Sequence, residues 1–129
     1  MEPHPFRLAV EAHDMDAAVN LLRDDVVFRS PAVHQPYVGR AAVSHLLRHA
    51  GDVLEDLVYV DELHGHRSVA LVFRAHVGEK DVEGLDHLTL DADGSITEFR
   101  VMIRPLSGLI AMAQTMGGRL ETDPVPTSD

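Results

Sequence analysis

Val82-Glu83-Gly84-Leu85-Asp86-His87-Leu88-Thr89-Leu90 is followed, across an Asp93-Gly94 pair, by Ile96-Thr97-Glu98-Phe99-Arg100-Val101-Met102-Ile103. Two such stretches joined by Asp-Gly read as a β-hairpin, because that pair tolerates the positive φ that a tight turn demands. Successive side chains of a strand point to opposite faces. Gly84, Leu88 and Leu90 mark one face of the first strand as apolar, and Asp86 shares their parity. In the returning strand Phe99, Val101 and Ile103 take the inner face, leaving Arg100 and Arg104 for the outer one. A carboxyl aimed at an apolar layer must be paired or protonated, since burying it ionised and alone costs roughly several kcal/mol. Asp86 is therefore either structural, bonded to a buried partner, or functional with a raised pKa.

Outward from this hairpin the pattern continues. Residues 69–77 form a strand with Leu71, Phe73, Ala75 and Val77 on one side, and residues 78–80 turn the chain. Residues 57–63 alternate loosely and lead into a His64-Gly65-His66 turn. The first third of the chain differs. Residues 5–23 read as helical, with apolar Phe6, Ala9, Val10, Val19, Leu21 and Leu22 and a break near 13–16. There Asp14 or Asp16 can cap a second piece over 17–22. The β-branched run Val26-Val27-Phe28 is stopped by Pro31. A loop over 32–37 and Gly39 precede a helix over 40–50, whose Ala42, Val43, Leu46, Leu47 and Ala50 share a face. Residues 106–120 form a closing helix rich in Leu, Ile and Met, with Gly117-Gly118 marking its end. Residues 1–4 and 121–129 are expected to be disordered. Helices, then hairpin-linked strands, then a helix make an α+β domain, and nothing divides residues 1–129 into two.

Composition narrows the function. Of 129 residues 45% are hydrophobic and 25% charged, as in ordinary folded domains. The absence of cysteine removes disulfides, thiolate nucleophiles and cysteine zinc sites together. A net charge of −10, with eleven scattered basic residues, disfavours nucleic acid and anionic membranes as partners. No signal-like or bilayer-length apolar run is visible, so a cytoplasmic location is expected. His45 and His49 stand four apart on a helix, an acceptable metal-ligand spacing, but the sequence offers no third ligand. They read as the boundary of an apolar stripe, and no metal and no cofactor is expected.

The order of elements resembles the nuclear transport factor 2-like superfamily, which includes ketosteroid isomerases and SnoaL-like polyketide cyclases. The resemblance covers roughly residues 5–105. It is carried by the run from Asp14 to Phe28, by Gly39-Arg40-Ala41-Ala42-Val43, by Leu85-Asp86-His87-Leu88 and by the Asp93-Gly94 turn with its long final strand. It implies a cystatin-like cone, a curved antiparallel sheet wrapped around N-terminal helices with an internal pocket. Carried over position by position, the oxyanion-holding Asp of the isomerases falls on Asp86. Their tyrosine falls on Phe6, which cannot donate a hydrogen bond, and their base on Ser30, which is no base near neutral pH. Ordinary ketosteroid isomerase activity is not expected.

The reading that results is a cofactor-independent protein binding a small, largely apolar molecule. Its chemistry would be proton transfer of isomerase, cyclase or dehydratase type, with Asp86, His34 and Tyr37 as catalytic candidates. Histidine is a residue type that commonly moves protons, which makes His34 a candidate, and Tyr37 is a hydrogen-bond donor or a packing group. Phe6, Ser30, Phe73, Leu88, Phe99, Val101 and Ile103 are the expected ligand-binding residues. A homodimer through the outer sheet face, bearing Arg100 and Arg104, is expected. The rival readings are a non-catalytic binding domain and a pure dimerisation module.

Overall fold

The computed structural model describes residues 2–127; residues 1, 128 and 129 of the two segments expected to be disordered lie outside it. Proline opens the first helix, α1 (Pro5–Glu11), where its missing N–H is of no consequence. The His4 ring accepts the Phe6 N–H at 3.0 Å, and Phe6 and Ala9 turn inward. α2 (Met15–Val19) is capped by Asp14, whose carboxylate accepts the Ala17 N–H at 3.1 Å. The helical reading runs too far here. Leu22 opens β1 (Leu22–Arg29) and pairs with Ile96, a long-range ladder contact that overrides local helical periodicity.

The short β2 (Tyr37–Val38) folds back on β1 from within the expected loop, and α3 (Arg40–Val53) follows. Then come β3 (Glu55–Gly65), β4 (Ser68–Val77), β5 (Lys80–Leu90), β6 (Ile96–Arg104) and α4 (Leu106–Thr122). The sheet order is β2-β1-β6-β5-β4-β3. Pairing is antiparallel from β3 through β6, while β1 joins β6 in parallel. The Asp93-Gly94 turn holds as expected. Gly94 has φ 86° and the Asp91 carboxylate accepts the N–H groups of Asp93 and Ser95 at 3.0 and 2.9 Å.

One face of this curved sheet is covered by helices, and the core lies between the two layers. Phe28, Leu71, Phe73, Leu88, Ile96 and Phe99 from the strands meet Phe6, Val43, Leu46 and Met112 from the helices. Phe6 packs edge-on against Phe99, ring centres 5.2 Å apart. The N-terminal helix is tied to β3 by Glu62, which accepts from the His4 backbone N–H at 3.0 Å and from Arg7 at 3.4 Å.

α4 does not stop at Gly117-Gly118 but continues through Thr122. Arg119 on α4 donates to His49 and Asp52 of α3, Asp123 reaches His45 and His49, and Val125 packs against the core. Asp123 and Val125 thus have tertiary partners that the polar, proline-bearing sequence of this segment does not reveal. Among the described residues, no helix is long and apolar enough to cross a membrane.

Gly84 is where the sheet is most closely packed. A Cβ there would press on the Met102 carbonyl oxygen and lie 2.8 Å from the ring tip of Phe73. Phe73 in turn stacks edge-on with Tyr59 of β3, centroids 6.4 Å apart. Gly84→Ala is therefore expected to lower unfolding free energy by about 2 kcal/mol, the usual scale of overpacking, in a urea titration.

Candidate active site

Asp86 lies midway along β5, between Leu71 of β4 and Val101 of β6 in the ladder. Strand parity sends its side chain to the concave face, where it is the one charged or polar residue among the buried set of the described residues, 7% exposed. Tyr59 lies on the neighbouring row, opposite Phe73, which itself faces Gly84. From there the Tyr59 hydroxyl donates to Asp86 Oδ2 at 2.9 Å. The other carboxyl oxygen, Oδ1, receives no hydrogen bond from the described residues.

Burial dominates the electrostatics. Removal from water pushes the Asp86 carboxyl up to about 7, and the Tyr59 hydrogen bond, which favours the charged form, offsets this only in part. The Tyr59 hydroxyl is pushed far above its ordinary value, first by burial and then by the adjacent Asp86. Tyr59 is consequently a fixed donor, while Asp86 is divided between acid and carboxylate near neutrality. With Oδ2 taken by Tyr59, the acid form holds its proton on Oδ1.

Asp86 and Tyr59 line a hollow of about 70 Å³, room for about two waters, walled otherwise by apolar groups including Phe6, Phe28, Leu47, Phe99 and Met112. Three larger hollows share walls with it, two of them extensively. One, about 220 Å³, lies beneath α4 and shares Phe28, Pro31, Ala50 and Met112 with the Asp86 hollow. The other is an open cleft of about 560 Å³ between the turn after α1, the end of α3 and the start of β3. It shares Val10, Met15, Gly51, Leu54 and Leu57 with the Asp86 hollow.

The residues expected from sequence divide among these places. Phe6, Phe99 and Val101 line the Asp86 hollow. Tyr37 and Ser30 line the chamber beneath α4, Tyr37 with its ring 6.4 Å from Phe28. Ser30 Oγ accepts the N–H groups of Ala32 and Val33, so it holds the turn after Pro31. His34 lies in the third, an open cleft of about 500 Å³ with Arg29, Arg100 and Met102, which meets the Asp86 hollow only at Pro31 and Val101, and His34 itself does not line that hollow. Ile103, half-buried against the core, also lines that cleft. Phe73 and Leu88 are 1% and 0% exposed and fill the core without lining any of these hollows. They sit under neighbouring strands and helices rather than at the edge of a space.

Tyr59 is the residue sequence reasoning missed. The signal was present: Leu57 and Tyr59 alternate with Val58, which puts one of only two tyrosines on the same inward face as Asp86. Pairing across two strands, through a ladder that slips between Tyr59 and Asp61, could not be read from spacing.

The fold does supply a third group beside His45 and His49. Asp123 brings their ligand atoms within 4.8 Å of one another. Arg119 Nε, which can only donate, bonds His49 Nδ1 at 2.8 Å, and this places the His49 proton on Nε2, directed at Asp123 Oδ2 2.8 Å away. His49 thus offers no free lone pair, and a guanidinium already stands where a second cation would be repelled. The cluster fits a latch between α3 and the end of α4 better than a metal centre.

Residues 6–99 match the SnoaL-like domain family. No curated protein matches the chain. Among solved structures, a steroid delta-isomerase from Pseudomonas aeruginosa is 41% identical, over 92% of this chain and 88% of its own, with a TM-score of 0.87. A bacterial protein with a cystatin-like fold from Silicibacter pomeroyi is 32% identical over 92% and 84%, also with a TM-score of 0.87. The epoxide hydrolase/cyclase-like enzyme SalBIII of salinomycin pyran ring formation is 20% identical over 80% and 87%, with a TM-score of 0.65, and shares the fold. With its helix-covered curved sheet and these relatives, the chain belongs to the SnoaL-like family of the nuclear transport factor 2-like superfamily.

Proposed function

We propose that this protein binds a small, largely apolar, oxygen-bearing molecule in the hollow beside Asp86 and performs cofactor-independent proton transfer on it. The observation that carries this reading is the Asp86 carboxyl itself. It is buried, with a pKa of about 7, one oxygen held by Tyr59 and the other free to meet a ligand. A carboxylic acid in an apolar hollow can give a proton or a hydrogen bond to a carbonyl, epoxide or hydroxyl oxygen. As a carboxylate it can take a proton from an activated carbon. Tyr59 acts through Asp86, fixing its orientation and keeping its proton on the cavity side.

The chemistry fits the isomerase and cyclase names carried by similar structures. Phe6 and Ser30 stand where the ketosteroid isomerases are expected to carry a tyrosine and a base, so the reaction differs from theirs in its proton acceptor. Tyr37, in the chamber beneath α4 that shares walls with the Asp86 hollow, is a candidate for a second polar contact. The rival, a binding domain without chemistry, draws support from the apolar walls. Apart from Tyr59, no titratable side chain of the described residues lines the hollow with Asp86. A homodimer through the outer sheet face is part of the proposal, and the exposed Val58, Val60 and Met102 give that face its apolar area.

A thermal-shift screen of uncharged hydrophobic ketones, epoxides and phenols, followed by turnover assays on the hits, tests the reading. Asp86→Asn keeps the side-chain shape and the Tyr59 contact, so it should fold normally. It should slow turnover of a converted hit by about 100-fold or more, the ordinary share of a general acid or base. Turnover that survives this substitution would sink the catalytic reading, and binding that ignores it would sink the binding reading as well.

Stability against pH reads the same group without a substrate. The folded-state pKa of Asp86 lies above its unfolded value of about 4, so between about pH 4 and 7 the folded chain holds a proton that the unfolded chain releases. The stability of the native protein relative to Asp86→Asn should therefore fall as pH rises through that window and level off above it. A flat difference in urea titrations across pH 4–8 would show that burial does not perturb Asp86.

Tyr59→Phe removes the hydrogen bond that favours the charged carboxylate. Its expected effect is a further upward shift of the Asp86 titration, seen as a displaced carboxyl carbon shift in NMR and a displaced acid limb of any activity profile. An unchanged midpoint would mean that Tyr59 does not act on Asp86.

A further inference from the structure

α3 runs unbroken from Arg40 to Val53 and carries a glycine in its last turn, at position 51, where other residues would favour the helix more. The folded chain gives no packing reason for it. Gly51 does not have the positive φ that marks Gly39, Gly78 and Gly94. The nearest atom to an added Cβ would be Met15 Sδ at 4.0 Å, an ordinary contact. This contrasts with Gly84 and Gly108, where a Cβ would collide with neighbouring strands. What the missing side chain at position 51 leaves is room for about a methyl group before Met15 Sδ, and that gap has a definite location. Gly51 and Met15 belong both to the wall of the Asp86 hollow and to the wall of the open 560 Å³ cleft.

The 560 Å³ cleft, the Asp86 hollow and the chamber beneath α4 form a series, to which the His34 cleft is joined only at Ser30, Pro31, Val33 and Val101. The 560 Å³ cleft and the chamber beneath α4 have no lining residue in common, and each shares walls with the Asp86 hollow between them. The cleft is the wider end and has a polar rim that includes His13, Arg48, Asp52 and Glu55, while the chamber at the other end is largely apolar. A molecule with an apolar skeleton would lose water progressively along this path and finish beneath α4. We propose that Gly51 is the specificity-determining notch through which a ligand passes from the open cleft to Asp86, facing Met15 across the neck. The ligand class that fits is an uncharged, elongated molecule whose reacting oxygen lies along its length, with apolar skeleton extending beyond it towards α4. The 70 Å³ around Asp86 is too small to hold more than the reacting portion. Methionine at the opposite side of the neck suits this role, because its unbranched side chain can move aside for a passing ring.

This inference rests on the reading of Asp86 as a ligand contact, and the test separates the two. The probe is 2-naphthol, an uncharged two-ring fluorophore with a hydroxyl for Asp86, followed by stopped-flow fluorescence with the full chain. Side chains in a helix lean towards the preceding turn, so Gly51→Leu should lie against Leu47 and Met15 and narrow the neck. The variant should match or exceed the native melting temperature, because leucine favours the helix. Its association rate should fall by at least about tenfold, with Gly51→Ala intermediate. Gly117→Leu, which fills space in the chamber beneath α4, should chiefly speed dissociation. A well-folded Gly51→Leu that binds 2-naphthol at the native rate overturns the notch while leaving the Asp86 reading intact. Slowed entry in Gly117→Leu instead would put the entrance beneath α4 and likewise overturn it. If Asp86→Asn has no effect on 2-naphthol binding, or the native protein fails to bind it, both proposals fall.

Discussion

The hydrogen bond from Tyr59 to Asp86 is the contact on which the rest of the site depends. A carboxyl group on the concave face of a sheet, surrounded by Phe6, Phe99, Val101 and Met112, has exchanged water for hydrocarbon. It has two ways to lower that cost, accepting a proton or accepting a hydrogen bond. Asp86 does both in part. Burial raises its pKa to about 7 and the tyrosine restrains the rise. Saturation by several donors would have made it an inert structural carboxylate. With none, burial would hold it further towards the neutral acid. One donor leaves it balanced between forms, with its unshared oxygen turned to open space.

That balance needs a particular sheet geometry. Tyr59 is two strands away from Asp86, and its hydroxyl arrives only because β3, β4 and β5 keep their register. Gly84 contributes by having no side chain. Its absence lets Phe73 lie across the strand and support the Tyr59 ring. The other layer is held with equal care. Glu62 ties α1, and with it Phe6, to β3, while Arg119, Asp123 and the histidine pair bind α4 to α3. Both helices wall hollows beside Asp86, so these polar contacts at the periphery set the shape of the apolar interior.

The histidine pair illustrates how neighbours change a chemical reading. At i and i+4 on one helix, His45 and His49 have the spacing of metal ligands, and the fold adds a carboxylate to them. Arg119 alters the outcome, because a guanidinium donating to His49 fixes the tautomer and adds a positive charge. The same three side chains then serve as a polar clasp for a segment whose composition alone reads as loose tail.

Strand parity, the Asp93-Gly94 turn, helix-capping Asp14 and the order of helices before hairpins were local properties. They were enough to determine the α+β architecture, the inward direction of Asp86 and the inward places of Phe6, Phe99 and Val101. Each rests on geometry that repeats every two or 3.6 residues and so is written into spacing. The partner of Asp86, the placing of His34 in another cleft, the helix end beyond Gly118 and the hollows themselves were decided by the tertiary structure. These depend on which strands become neighbours, on a ladder slip beside Tyr59 and on where the loop after Pro31 comes to lie. Such contacts join residues far apart along the chain, and a linear pattern holds no record of the distance between them.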